Sequence, residues 1–219
     1  MGVFDVVGPV MIGPSSSHTA GAARIGLMAR NILKEEPMKA EITVYGSFAK
    51  TYKGHGTDRA LVAGLLGFMA DDVRLRNSFE IAAQQGVDIT LQRSDIEPNH
   101  PNTVRIAMTG RSGKQMEVMG VSLGGGKIEI REINGSAVAL SGEEHTLITV
   151  HRDLPGIIAQ ATTIMATGNI NVSNMRVFRS GKNAMAVMIV CTDSPVPEEM
   201  RQAIGKIPAI DSVVTLLPL

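Results

Sequence analysis

The sequence predicts an α+β protein in two domains: a mixed α/β domain over residues 1–142 and a ferredoxin-like βαββαβ domain over 143–219. Three observations carry this. Glycine-rich, loop-like clusters crowd the chain ahead of Leu140-Ser141-Gly142-Glu143-Glu144-His145 and thin out beyond it. Before that point, helical and alternating apolar periods are mixed. After it, they follow in the order strand, helix, strand, strand, helix, strand.

In the first domain, residues 13–19 read as a loop capped onto a helix over 20–34 by Thr19 or Ser17. That helix turns Ala23, Ile25, Leu27, Met28, Ile32 and Leu33 to one face. Residues 40–48 alternate as a strand. A second loop, 52–58, leads into a helix over 59–69, and a third helix is expected over 79–85. Strands follow over 88–93, 103–109, 116–123 and 127–133, the last two broken by Gly124-Gly125-Gly126. In the second domain, residues 145–151 form a strand. Pro155 fits the first turn of a helix carrying Ile157, Ile158, Ala161, Ile164 and Met165, which Gly168 closes. Strands over 170–179 and 184–192 are joined across Ser180-Gly181-Lys182-Asn183. Pro197 opens a helix to Ile207, and 212–217 is the last strand. A sheet with both helices on one face leaves an edge open for pairing with a second copy.

Composition narrows the function. Of 219 residues 44% are hydrophobic and 19% charged, with mean hydropathy +0.12, enough for a core of ordinary size. Twenty-one basic residues offset twenty-one acidic ones, so nothing draws the chain to nucleic acid or an anionic membrane. Aromatics at 3%, with no Trp, argue against base stacking. Apolar runs such as 184–190 are too short for a bilayer, and Met1-Gly2-Val3-Phe4-Asp5 does not begin a signal peptide, so a cytoplasmic protein is expected. The single Cys191 allows no internal disulfide and cannot supply the several thiolates of an iron–sulfur cluster. His18, His55, His100, His145 and His151 make no HExxH and no short His/Cys pairing, so no metal site wholly within the chain is expected.

Two loops ahead of helices carry the chemistry. Gly13-Pro14-Ser15-Ser16-Ser17-His18-Thr19 offers three hydroxyls, free amides and a helix N-terminus, a seat for a carboxylate, with His18 suited to proton transfer. Tyr52-Lys53-Gly54-His55-Gly56-Thr57-Asp58 repeats the style, its glycines allowing close approach to His55. A capped loop and a solvent-facing turn are the competing readings, weakened because the pattern occurs twice. Asn99-His100-Pro101-Asn102-Thr103 offers polar contacts from His100 and Asn102 or is an ordinary turn. Ser122-Leu123-Gly124-Gly125-Gly126 lacks the residues of a phosphate loop. In the second domain, amides after Pro155-Gly156 suit a carboxylate, while Asp153 and Asn171 suit an amino group and a hydroxyl, together fitting a small amino acid.

Taken together, residues 8–26, 45–58, 100–103 (HPNT) and 122–130 (SLGGGKIEI) resemble the β chain of bacterial iron–sulfur L-serine dehydratases. Residues from His151 onward resemble an ACT regulatory domain. The resemblance covers essentially the whole chain in the same order. It implies an N-terminal substrate-binding-type domain like that of some phosphoglycerate dehydrogenases. It also implies the reaction of L-serine to pyruvate and ammonia, with a [4Fe–4S] cluster on a separate α chain whose open iron acts as a Lewis acid on the serine hydroxyl. By the same resemblance His18 and His55 are catalytic, in roles left open. Ser15, Ser16, Ser17, Thr19, His100 and Asn102 bind substrate, and His151, Asp153, Gly156 and Asn171 contact an effector. Asp153 stands where some such domains carry Asn, which opens potassium as an alternative occupant. The implied partners are the α chain, L-serine and a second ACT domain; a free-standing amino-acid sensor is the competing function.

Overall fold

A computed structural model describes residues 10–179 and 181–219; the N-terminal pentapeptide, Gly8 and Pro9 of the first motif, and Ser180 of the hairpin turn lie outside the described residues. The chain divides into two compact units, Met1–Gly135 and Ser136–Leu219. The division falls at the Asn134-Gly135 turn, where both residues take positive φ (48° and 74°), the geometry of a tight hairpin.

The helical period after the first motif forms α1 (Gly21–Leu33), with Ala23, Ile25, Met28, Ile32 and Leu33 buried. Next come β1 (Pro37–Val44), α2 (Gly46–Thr51), α3 (Thr57–Leu65), a 3-10 turn over Val73–Asn77 and α4 (Ser78–Gln84). Then follow β2 (Asp88–Arg93), β3 (Thr103–Gly110), β4 (Gln115–Gly124), β5 (Lys127–Ile133) and β6 (Ser136–Leu140). Within the first unit the sheet runs β2-β1-β3-β4-β5, with β1 and β2 parallel, and β6 opens the second unit. In register, Ile42 stands opposite Ile106, and Ile106 opposite Val118, so the strands present one apolar face. Helix α1 covers that face: a Cβ on Gly120 of β4 would lie 2.8 Å from Ile25 Cγ2.

The first strand stops at Val44 rather than running to Phe48. Gly46 takes φ 54°, and a Cβ there would meet the Pro101 carbonyl oxygen at 2.6 Å. The chain therefore turns into α2, which buries Phe48 and Ala49. Strand β6 was not expected from the sequence.

Helices α1 and α3 touch through their backbones. A Cβ on Gly64 would fall 2.0 Å from the Ala23 carbonyl oxygen, and one on Gly26 2.3 Å from that of Leu61. Only hydrogen fits at either place. This contact sets how close the two helix starts can come.

The second unit contains β7 (His145–Arg152), α5 (Ile157–Thr167), β8 (Val172–Arg179), β9 (Met185–Thr192), α6 (Glu198–Gly205) and β10 (Ile210–Leu216). Its antiparallel sheet runs β10-β7-β9-β8, the βαββαβ order expected. Leu147, Met188 and Val190 pack against Ile157, Ala161, Met165 and Ile204. Pro155 precedes the first helix instead of opening it, because Gly156 at φ 89° takes the cap. At the far end the left-handed residue is Asn169 (φ 57°) and not Gly168 (φ −94°). Among the described residues no helix is long and apolar enough to cross a membrane.

Gly64→Ala is expected to lower Tm in a melting experiment, by about 1–3 kcal/mol or more of stability, since a rigid carbonyl and not a flexible side chain blocks the new methyl. Gly205→Ala meets only Val213 Cγ2 at 3.7 Å and gains helix propensity. It should be neutral or stabilising by up to about 1 kcal/mol.

Candidate active site

The first motif forms a widened helix start. Ser15 is extended (φ −140°, ψ 122°), and its Oγ accepts the His18 backbone N–H at 3.3 Å, so Ser15 is the cap in place of Ser17 or Thr19. A π-helical turn over Ser16–Ala20 then runs straight into α1, a geometry often found at functional sites. It gathers side chains: His18 Nδ1 lies 3.1 Å from Ser17 Oγ and 3.3 Å from Ser15 Oγ, and those two hydroxyls are 3.3 Å apart. On the other side of the ring, Nε2 lies 3.1 Å from Ser47 Oγ.

His18 is buried, edge-on to Phe48 (5.3 Å between centroids) and to His55 (4.9 Å, 79° between planes). Burial pushes its pKa down, and the neighbouring His55 pushes it further in the same direction. A neutral imidazole presents one N–H and one lone pair, and here hydroxyls stand at both.

The second motif meets the first. Thr19 donates its hydroxyl to the His55 carbonyl oxygen at 3.2 Å, tying the two loops instead of capping a helix. Gly56, at φ 68°, begins α3. Asp58 accepts the Arg59 N–H at 2.8 Å. The Nδ1 of His55 and the Oγ1 of Thr57 are buried and have no protein partner.

The HPNT turn braces this arrangement from the sheet. The Pro101 carbonyl accepts the N–H of Ser47 at 2.6 Å and of Phe48 at 3.4 Å. Asn102 donates its N–H to His100 Nδ1 (3.2 Å) and its Nδ2–H to the Ser122 carbonyl (3.4 Å), while its own carbonyl accepts the Ser122 N–H (3.0 Å). Ser122, fully buried at the end of β4, presses on the first turn of α1: a Cβ on Gly21 would lie 2.0 Å from its Oγ. The ends of β1 and β4, the start of β3 and the start of α1 therefore meet at one end of the sheet.

His100 goes elsewhere. It lines a cavity of about 350 Å³ with Tyr45, Arg105, Arg131 and Glu132, and its pKa is lowered by burial and then by Arg131. The three glycines after Leu123 form an open hairpin tip, with positive φ at each. Sequence reasoning assigned no role to Ser47 or Ser122, although both lie inside the quoted motifs. What could have marked Ser47 is its place: a hydroxyl directly after a glycine at a strand end.

In the second unit, Thr149 Oγ1 lies 3.0 Å from Nδ1 of buried His151. Burial lowers the His151 pKa, partly offset by Asp153. Asp153 accepts from Arg179 at 3.1 Å, and Asn171 donates to Asp193 at 2.6 Å. Burial raises the Cys191 thiol pKa. Among the described residues no three His, Cys, Asp or Glu gather as a metal site.

A family model described as serine dehydratase beta chain matches residues 2–132, and an ACT domain model matches residues 145–209. The chain is 44% identical over 214 residues to the probable L-serine dehydratase, beta chain, of Bacillus subtilis (strain 168), covering 98% of this chain and 97% of that one. It is 38% identical over 202 residues to the L-serine dehydratase, beta chain, of Peptoniphilus asaccharolyticus, covering 92% and 91%. The chain belongs to the serine dehydratase β-chain family. All four motifs of this β chain fall within the family match, and its second unit is an ACT domain. A lesser likeness, 24% over 160 residues, is to D-3-phosphoglycerate dehydrogenase of Synechocystis, where it spans 71% of this chain and 29% of that one.

Because the folded pKa of His18 is depressed, the unfolded chain takes up the proton first. Its contribution to stability is therefore full above the ordinary imidazole value of about 6.5 and lost as pH falls below it. Melting curves between about pH 7 and pH 5.5 should show Tm falling, with a shallower fall in His18→Gln. His100 and His151, also depressed, supply the remaining slope. An unchanged slope in His18→Gln would mean that the ring is not held neutral.

Proposed function

We propose that this β chain brings a pair of imidazoles and a hydroxyl-lined anion seat to L-serine, in a dehydratase whose iron–sulfur cluster is held by a companion α chain. The observation that carries the reading is the 4.9 Å contact of His18 with His55 beside the Ser15 and Ser17 hydroxyls, at the starts of two helices. The chain's own residues do not fit the cluster: its one cysteine, Cys191, lies on β9 of the ACT domain.

The substrate carboxylate sits on the hydroxyls of Ser15, Ser16 and Ser17, where the N-terminus of α1 favours negative charge. His55 is the base. Its Nδ1 has no partner in the protein, whereas both nitrogens of His18 are met by hydroxyls. The α proton passes to His55, which returns it to the departing β hydroxyl, so that the hydroxyl leaves as water and His55 is neutral again. The resulting aminoacrylate tautomerises and hydrolyses to pyruvate and ammonia. His18 holds the hydroxyl array and, being uncharged, leaves room for the charge His55 gains.

In the ACT domain, the amides at the entry to α5 after Gly156 are a seat for the carboxylate of an amino-acid effector, with Asp153 and Asn171 for its amino group and hydroxyl and His151 as a further contact. Potassium at Asp153 is the alternative. Strand β8 is a sheet edge with no buried residue, and it pairs with a second copy of this domain.

Anaerobic mixing with an α chain should yield pyruvate from L-serine, while the isolated chain should be inactive and nearly colourless. His55→Asn or His18→Asn should lower turnover at least ~100-fold with assembly intact. Near-wild-type turnover in both would reject the catalytic reading in favour of a sensor. Light scattering should find the isolated chain dimeric and Val177→Lys shifted toward monomer; a wild-type monomer would reject pairing through β8.

A further inference from the structure

The hydroxyl of Ser47 meets Nε2 of His18 at 3.1 Å, and it has no other hydrogen-bond partner among the described residues. The backbone that carries it is fixed. The Pro101 carbonyl holds the Ser47 N–H at 2.6 Å, and Gly46 packs on the same proline. A serine or threonine inside a helix often gives its proton to a carbonyl three or four residues back, as Thr51 does to the Ser47 carbonyl at 2.9 Å. Ser47 lacks that choice. It is the second residue of α2, so the carbonyls at those places belong to Thr43 and Val44 of β1. The acceptor left for its proton is the lone pair of His18 Nε2.

A donor at Nε2 fixes the other nitrogen, since a neutral ring then carries its hydrogen on Nδ1. Ser17 Oγ at 3.1 Å and Ser15 Oγ at 3.3 Å stand ready to accept it, and Ser15 Oγ also accepts the His18 backbone N–H. With hydrogen arriving from the ring, neither hydroxyl has to turn its own proton toward His18. The two oxygens lie 3.3 Å apart, a spacing that one carboxylate can bridge. In the reverse tautomer Nδ1 is a lone pair, one of the hydroxyls turns inward to it, and the seat loses a donor. We infer that Ser47 is a positioning residue that sets the tautomer of His18. The chain of hydrogen bonds from Ser47 through His18 to Ser15 and Ser17 thereby runs toward the substrate and ends in two O–H donors for its carboxylate. Ser47 itself touches no substrate. The ligand at the end of the chain rests on the dehydratase reading; the direction of the chain belongs to this polypeptide alone.

The test has two readouts. In the full chain labelled with nitrogen-15 and held at about pH 8, above the ordinary imidazole value of about 6.5, His18 Nδ1 should resonate as a protonated nitrogen and Nε2 as an unprotonated one. Ser47→Ala should reverse the two, because Nε2 without a donor gains by carrying the hydrogen itself. Ser47→Thr keeps the hydroxyl and should restore the wild-type order. A wild-type ring protonated on Nε2, or a Ser47→Ala ring unchanged, would overturn the inference; the wild-type spectrum decides alone if Ser47→Ala does not fold. In the complete two-chain enzyme, assayed anaerobically, Ser47→Ala should raise the KM for L-serine about tenfold, the loss of one hydrogen bond to a charged group, with kcat within about threefold because His55 is untouched. Ser47→Thr should return KM toward the wild-type value. An unchanged KM in Ser47→Ala, or a kcat that falls while KM holds, would overturn the positioning role. A wild-type enzyme that turns over no L-serine would sink the dehydratase reading itself, and the tautomer spectrum of this chain would still decide the direction set by Ser47.

Discussion

Two helices meet where only hydrogen separates their backbones, at Gly26 of α1 and Gly64 of α3. Because both the helix starts and these later glycines are neighbours, the helices run in the same direction. Their positive ends then lie at one end of the sheet, an arrangement that repels itself until an anion arrives. The same contact draws together the two histidine loops, which lie far apart in sequence. Thr19 adds a direct tie to the His55 carbonyl. A methyl group at either glycine would wedge the helices apart and with them the imidazoles.

Around that contact, burial selects the protonation state. A charged His18 would lose hydration and face His55, so both effects lower its pKa and favour the neutral form, with hydroxyls near both of its nitrogens. The HPNT turn contributes from the sheet, since the Pro101 carbonyl holds the amides of Ser47 and Phe48. On the proposed reading, electrophilic chemistry belongs to a companion chain, and this chain contributes proton transfer, an anion seat and, through its ACT domain, a place for regulation.

Much of this was legible beforehand, and the misses share a cause. Strands β2 and β5 fall where expected because their alternation is bounded by turn residues on each side. The alternation that predicts the first strand continues through Phe48, beyond the end of β1 at Val44. What stops it is the positive φ of Gly46, set by packing on distant Pro101. Strand β6 is short and lies inside the composition shift that marked the domain boundary. His18 and His55 stood out through their motifs, and their contact follows from the helices those motifs precede. Ser47 and Ser122 did not, because each gains its importance from a partner remote in sequence. His100 and Asn102 show the converse. They are near neighbours in one turn, yet one lines a separate cavity and the other braces Ser122.

The most direct measurement is a nitrogen-15 and proton NMR titration of the histidine rings. His18 should take up its second proton at a lower pH than the ordinary imidazole value of about 6.5, and its ring protons should show a nuclear Overhauser contact with those of His55. A His18 that protonates at or above that value, or two rings with no contact between them, would contradict the claim that the helix crossing presents a desolvated imidazole to its partner.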